Sequence, residues 1–387
     1  KIYVTSSSGK RGNILSVTTF IVDTTSPSLS QSTAVTSPTN DNTPAYAFSS
    51  NEGGTISYGG SCSSGTTSAS IGTNSISFNA LSEGTYSNCT ITVTDSAGNV
   101  SNALNINSFL LDATAPSLSQ VTAVSTPSSD ITPSYVFSSN EAGTISYGGS
   151  CSSSTTYASI GNNAISFNLL GDGSHNCNIS VTDTAGNTSS ALNLNTFVVD
   201  TTAPSISSTA PSDAASSVQN NSTISVTFSE GMDTTSLTTN TTDTNCSGTF
   251  RVSSDSFNTC VRMSSTPSSS ESDRKFTVNP YINLSSTTTY KIKVTTGVKD
   301  SAGNFLSSQF LTSSGFTTIF GTKIIGSGEG RALVTDSSNN VYLAGNSEGS
   351  VFLTKFNSDG AEQWTNKGNA GTGLVASEGG GIGIDES

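Results

Sequence analysis

Cations are scarce in this sequence: 14 of its 387 residues are lysine or arginine, against 27 aspartates and glutamates, and the net charge is −13. A surface of that sign does not attract nucleic acid or an anionic membrane, and small cations are its natural partners. Large apolar residues are also few, hydrophobic types making up 32% of the chain, and no apolar run approaches the roughly 20 residues that span a bilayer. Amphipathic helices of normal length are missing. Histidine occurs once, as His175 in "GDGSHNC", so no repeated Ser–His pair exists, and neither an HExxH helix nor a phosphate-cradling glycine loop after a strand is found. These absences point away from catalysis. Carboxylate pairs suited to glycoside hydrolysis remain open, but the acids gather at linkers and away from any evident cleft.

What fills the chain is Ser, Thr, Asn and Gly, a balance that suits disorder when it is unpatterned. Here it is patterned. Runs such as "AYAFSS", "SISFN" and "TITVTD" alternate apolar and polar residues, the signature of strands with one face in a core. The six cysteines fall as three local pairs, Cys62 with Cys89, Cys151 with Cys177, and Cys246 with Cys260. None has CxxC spacing, so disulfides formed in an oxidising, extracellular or periplasmic compartment are expected. Sequons such as "NVS" at 99 to 101 and "NTS" at 187 to 189 are frequent by chance in this composition.

The segments "VDTTSPSLS", "LDATAPSLS" and "VDTTAPSIS" place equivalent aspartates at 23, 112 and 200, spaced 89 and 88 residues apart. That is the length of one Ig-like sandwich rather than of a solenoid repeat. Each unit runs through "TPAYAFSSNE" or "TPSYVFSSNE", then "GTISYGGSC", then "NSISFNAL" or "NAISFNLL". A Cys-bearing strand follows and ends in a DxAGN turn, and a last strand, "ALNINSFLLD" or "ALNLNTFVVD", closes the unit. About seven short strands per unit predict a Greek-key sandwich. The cysteine positions, with no core tryptophan, are unlike those of an antibody domain.

The "VDTTAP" linker and "TDxAGN" hairpin resemble the bacterial Ig-like repeats of large surface adhesins, in two complete copies over residues 24–112 and 113–200. Residues 1–23 match the last strands of an incomplete unit. In 201–317, "PSDAASSV", "ISVTFSEGMD", "TTTYKIKVTTGVKDSAGNFL" and "FTT" resemble the surface-layer-type bacterial Ig-like domain. Residues 318–387, with "GTKIIGSGEGRALVTDSSNNVYLAGNS" and "VFLTKFNSDGAEQWTNKG", look like about one blade of an SBBP-type β-propeller, with Trp364 in a buried structural position. The expected fold is therefore all-β: tandem Ig-like Greek-key sandwiches in series, followed by an incomplete propeller segment.

The recurring "DxAGN" raises the question of whether its aspartate does more than cap a turn. In such a sandwich the linker, the loop after the second strand and this hairpin share one end. Asp23, Asn51, Glu52, Asp95 and Asn99 should then meet, as should Asp112, Asn140, Glu141, Asp183 and Asn187, and Asp200, Glu230, Asp300 and Asn304. Clusters of carboxylates and amide oxygens suit Ca²⁺, which takes six to eight such ligands, and the resemblance also implies calcium at the inter-domain junctions. The resemblance implies a non-catalytic stalk or fibre segment of an extracellular, bacterial cell-surface protein, with a surface ligand or neighbouring subunits as partners. Two other readings are a secreted binder or enzyme whose active part is a propeller outside this segment, and a filament subunit assembled by strand complementation. The first 23 residues and the last 70 suit a fragment better than strand exchange.

Overall fold

The computed structural model describes residues 2–16, 18–319, 329–335, 340–347, 350–357 and 361–368. The chain is all-β, with one 3-10 turn at Thr234–Ser236 as the sole helix among the described residues. It divides into two compact units. The first (Lys1–Val124, Thr132–Asn168, His175–Thr196) holds the first sandwich and the two main sheets of the second; the other (Ser125–Ile131, Leu169–Ser174, Phe197–Ser387) holds the third sandwich and a C-terminal sheet.

The first sandwich comprises β1 (Leu29–Thr33), β2 (Ala45–Ser50), β3 (Gly54–Gly59), β4 (Ser68–Ala69), β5 (Gly72–Ser77), β6 (Gly84–Tyr86), β7 (Thr90–Thr94), β8 (Leu104–Asn105) and β9 (Phe109–Leu111). Its sheets are ordered β1-β2-β5 and β4-β3-β7-β8, with β6 paired to β9. Alternation builds the core, since β7, TITVT, buries Ile91 and Val93 and turns its threonines outward. Tyr46, Phe48, Phe78 and Phe109 fill the space between the sheets, and the rings of Tyr46, Phe78 and Phe109 stack in series at 6.2 Å.

The expected single closing strand "ALNINSFLLD" is two strands, β8 on β7 and β9 on β6. Between them Ile106 N–H donates to the Cys89 carbonyl, and the chain crosses from one sheet to the other. Beyond β1 the incoming chain runs parallel to β9. Thr39 donates to the Leu110 carbonyl, and Asp112 N–H donates back to Thr39, both at 3.0 Å.

The second repeat copies this pattern in β10 (Leu118–Thr122), β11 (Ser134–Ser139), β12 (Gly143–Gly149), β13 (Tyr157–Ala158), β14 (Gly161–Ser166), β15 (Gly173–His175), β16 (Cys177–Thr182), β17 (Leu192–Asn193) and β18 (Phe197–Val199). Even the bulge in the first strand recurs, at Gln31/Thr33 and Gln120/Thr122. The parallel bridge recurs as Ser128 with Val199. His175 ends β15 with Nδ1 3.1 Å from the Ser150 hydroxyl.

The third sandwich has β19 (Ile206–Ala210), β20 (Ile224–Phe228), β21 (Phe250–Ser253), β22 (Ser268–Ser270), β23 (Lys275–Val278), β24 (Thr289–Val294), β25 (Phe310–Leu311) and β26 (Phe316–Thr317). Its sheets run β19-β20-β23-β22 and β21-β24-β25, with β26 also on β24. Its core is built from Val226, Phe250, Phe276 and Ile292 among others, and its parallel bridge joins Val218 to Thr318.

All six cysteines are bridged in the expected pairs, with Cα separations of 5.3, 5.5 and 4.9 Å. The enclosed separations of 27, 26 and 14 residues correspond to about 3 kcal/mol each by loop-closure entropy. That matters for cores so poor in large side chains.

Residues 2–16 form a ribbon with bridges Ile2–Leu15 and Thr5–Arg11, the same register as Ile91–Leu104 and Thr94–Val100. The C-terminal sheet is an antiparallel meander of β27 (Glu329–Thr335), β28 (Val341–Ser347), β29 (Ser350–Phe356) and β30 (Glu362–Gly368); the rest of the region expected to be propeller lies outside the described residues. Trp364 is 38% exposed and meets Tyr342 edge-on, so it is not the buried residue the blade resemblance implies.

Candidate metal centres

Each DxAGN hairpin is organised by its aspartate. Asp95 Oδ1 accepts the N–H groups of Ala97 and Asn99 at 2.8 and 2.9 Å. Asp183 Oδ1 accepts from Ala185, Gly186 and Asn187 at 2.7–2.9 Å, and Asp300 Oδ1 from Ala302, Gly303 and Asn304 at 2.7–2.8 Å. The turn needs glycine, since Gly98, Gly186 and Gly303 have φ of 95, 98 and 103°. So far this is an Asx-capped turn.

The final asparagine does something the turn does not require. Asn99 Nδ2 donates to the backbone carbonyl of linker residue Asp23 at 3.2 Å and to Asp95 Oδ2 at 2.8 Å. Asn187 joins Asp112 and Asp183 in the same way, both at 2.9 Å, and Asn304 joins Asp200 and Asp300 at 2.8 and 2.9 Å. Both partners are pure acceptors, so the amide nitrogen must face them. The carboxylate of each linker aspartate in turn caps the N–H two residues on, at Thr25, Thr114 and Thr202.

Asn51 and Asn140 fasten the incoming strand, each Oδ1 accepting the N–H of Ser28 or Ser117 at 2.6 Å. In the third sandwich Ser229 Oγ takes that place, 3.0 Å from Ser205 N–H. The asparagines of all three groups are thus struts. The sequence signal for them was the repeated Asn at the end of a turn that only its Asp and Gly define.

The carboxylates converge. One ligand oxygen from each of Asp23, Glu52 and Asp95 lies within 4.8 Å of the others; the same holds for Asp112, Glu141 and Asp183, and for Asp200, Glu230 and Asp300. Seven of the nine are half-buried, Asp23 is exposed and Asp300 is buried. None is ion-paired among the described residues: residues 12–250 contain no lysine or arginine, and Lys299 pairs instead with Asp233 at 3.2 Å.

The crowding shows in proton affinity. Burial, then the charges of Asp112, Asp183 and Glu83, raise the Glu141 carboxyl above its ordinary value. At the third site burial, then Asp200 and Asp300, push Glu230 up to about 7. Asp95 goes the other way, held down chiefly by the Asn99 side chain. Three oxygen donors of one sign, without a basic partner, are chemically suited to a hard divalent cation.

Residues 200–318 match the family of bacterial Ig-like domains. No protein of curated function matches the chain in sequence. Among solved structures, the chain is similar to the N-terminal part of the bacterial S-layer protein SbsC, with 16% identity and a TM-score of 0.23, covering 43% of each chain. The chain therefore spans less than half of that structure. It is also similar to the bacterial integrin-binding protein invasin, with 9% identity and a TM-score of 0.32, covering 89% of this chain and 78% of the other. A further similarity is to fibronectin(III)-like modules of Clostridium thermocellum CbhA, with 10% identity, a TM-score of 0.28, and coverage of 45% and 94%.

Proposed function

We propose that this chain is a non-catalytic stalk or fibre segment of a bacterial extracellular, cell-surface adhesin-like protein, with Ca²⁺ held among the three carboxylates at the incoming end of each sandwich. The observation that carries this reading is the threefold clamp: the same Asn amide, linker carbonyl and hairpin carboxylate recur at Asp23, Asp112 and Asp200, although the third sandwich has diverged elsewhere in sequence. A device repeated at three linkers serves the linkage between domains, and a site for one substrate would need to occur only once. The disulfides fit an oxidising compartment. Asp112, Glu141 and Asp183 would supply carboxylate oxygens, and bound calcium would cancel their repulsion.

Small-angle scattering of the full chain in millimolar calcium and in chelator tests this. Wild-type profiles should differ, and Asp112→Ala with Asp183→Ala should shrink the difference while each sandwich stays folded. Identical wild-type profiles in the two buffers would remove calcium from the reading. Six free thiols in the unreduced, denatured protein would remove the extracellular placement.

The β27–β30 meander favours a second reading, in which the sandwiches are spacers for a binding or catalytic propeller of which this sheet is one blade. Hydrogen exchange separates the two: a blade packed on both faces protects β28 and β29 for hours, whereas a solitary meander exchanges fast.

A further inference from the structure

Charge is segregated along this chain. The tandem repeats at 24–200 carry ten carboxylates and no lysine or arginine, whereas seven of the chain's 14 basic residues fall between Arg251 and Lys299. Three of them share one face of the third sandwich. On β24, Tyr290, Ile292 and Val294 are buried, so Lys291 and Lys293 point outward. On β21, Phe250 and Val252 are buried, so Arg251 also points outward, directly across from Lys293. Like charges in cross-strand register repel, and in a chain with twice as many acids as bases a carboxylate partner would be easy to place. None is there.

Each cation is instead pinned by a neutral group. Arg251 Nε donates to the Gly248 carbonyl at 2.7 Å, Lys291 Nζ to the Ser313 carbonyl at 2.7 Å, and Lys293 Nζ lies 4.1 Å from the centre of the Phe257 ring. The half-exposed Leu311, paired with Lys293 on β25, extends the same face. Three fixed cations with an apolar edge form a preorganised surface for carboxylates.

The repeats present carboxylates in matching pairs. Asp41 and Glu83 are exposed and flank the contact in which Leu81 N–H donates to the Asn42 carbonyl. Asp130 and Asp172 flank the equivalent contact of Leu170 with Ile131.

We propose that the Arg251–Lys291–Lys293 face docks these exposed carboxylate pairs on the tandem repeats of a second copy of the chain, so that copies pack side by side. The net charge of −13 opposes approach, but at physiological salt that repulsion is screened beyond a Debye length of about 8 Å. Contacts formed at hydrogen-bond distance are screened far less.

Sedimentation velocity of the full chain tests the proposal, with chelator present throughout so that calcium cannot bridge copies. Wild type should self-associate at physiological salt, and its dissociation constant should weaken at least about tenfold on going to high salt. Lys291→Glu with Lys293→Glu should sediment as a monomer at physiological salt with undiminished thermal stability, since a repulsive pair has been relieved. Mixing that variant with Asp130→Lys/Asp172→Lys should restore association. A wild type that is monomeric at every salt, or a charge-reversed variant that associates as wild type does, overturns the proposal. So does a monomeric wild type that is retained on an immobilised anionic polysaccharide, which would assign the face to that ligand. Because calcium is absent, failure here leaves the calcium-linked stalk reading untouched.

Discussion

Replacing Glu230 with glutamine should make the third sandwich more stable, but only at high pH and only without calcium. Asp200, Glu230 and Asp300 bring carboxylate oxygens within 4.8 Å of one another. At that distance two unit charges repel by about 3 kcal/mol at an effective dielectric constant near 20. The rise of Glu230 from its ordinary 4.5 to about 7 sets an upper bound of about 3 kcal/mol on the cost of ionising it in the fold. Glu230 is only half-buried, so solvent screening reduces this to about 1–2 kcal/mol.

The sign follows from linkage. A carboxyl whose folded pKa is raised stabilises the fold fully below about 4.5, and that contribution is lost as pH rises through about 7. Wild type and Glu230→Gln should therefore match at pH 5 in chelator and separate at pH 8, with the glutamine variant ahead. If Ca²⁺ binds as proposed, saturating calcium at pH 8 should reverse the order, because the variant would lack one carboxylate ligand. Native-state hydrogen exchange at β20 and β24 reads the third sandwich separately from its neighbours. If Glu230→Gln proves less stable than wild type at pH 8 in chelator, the three carboxylates do not repel as argued and the electrostatic account fails.

Asn187→Ala should cost about 1–3 kcal/mol, since it strands a hairpin carboxylate and a linker carbonyl that shared one amide, and Asn187→Asp should cost more by setting a carboxylate against two acceptors; denaturant midpoints in chelator compare the two. Asp213 accepts the N–H groups of Ser313, Ser314 and Gly315 and the Ser313 hydroxyl, and these bonds, led by the hydroxyl, bring it down to about 2. Its contribution is present above the ordinary 3.8 and lost as pH falls through about 2, so Asp213→Ala should narrow the gap in thermal midpoint between pH 7 and pH 2. Removing the second bridge as Cys151→Ala with Cys177→Ala should lower stability by about 3 kcal/mol, measured by urea unfolding without reductant.

Much of this architecture is legible in one dimension because it rests on local patterns. Period-two alternation marks β2, β7 and β16, and equal spacing makes Asp23, Asp112 and Asp200 equivalent. What stayed hidden are features whose partners carry no side-chain signature. The Asn99 clamp ends on a backbone carbonyl 76 residues away, and the parallel pairing of Thr39 with Leu111 joins main chain to main chain. The break between β8 and β9 was masked because "ALNINSFLLD" alternates well enough to read as one strand. Ser229 for Asn51 shows the opposite difficulty, a conserved bond made by a different residue type.

The parallel pairing has a mechanical consequence. In each sandwich the segment that follows the first strand (β1, β10 or β19) and the strand nearest the C-terminal attachment run side by side in one direction, bonded through Thr39, Ser128 and Val218. Tension applied through the two ends slides these segments lengthwise past each other, so both hydrogen bonds of each patch are strained together and must fail together, whereas an antiparallel pair pulled from one end peels bond by bond. Behind that lock, the Cys62–Cys89 bridge closes off 27 residues. At roughly 3.4 Å per extended residue, about 90 Å of chain cannot be drawn out of the first sandwich even after it yields. Under strain such a domain would resist first and lengthen little afterwards, until a reductant cut the bridge.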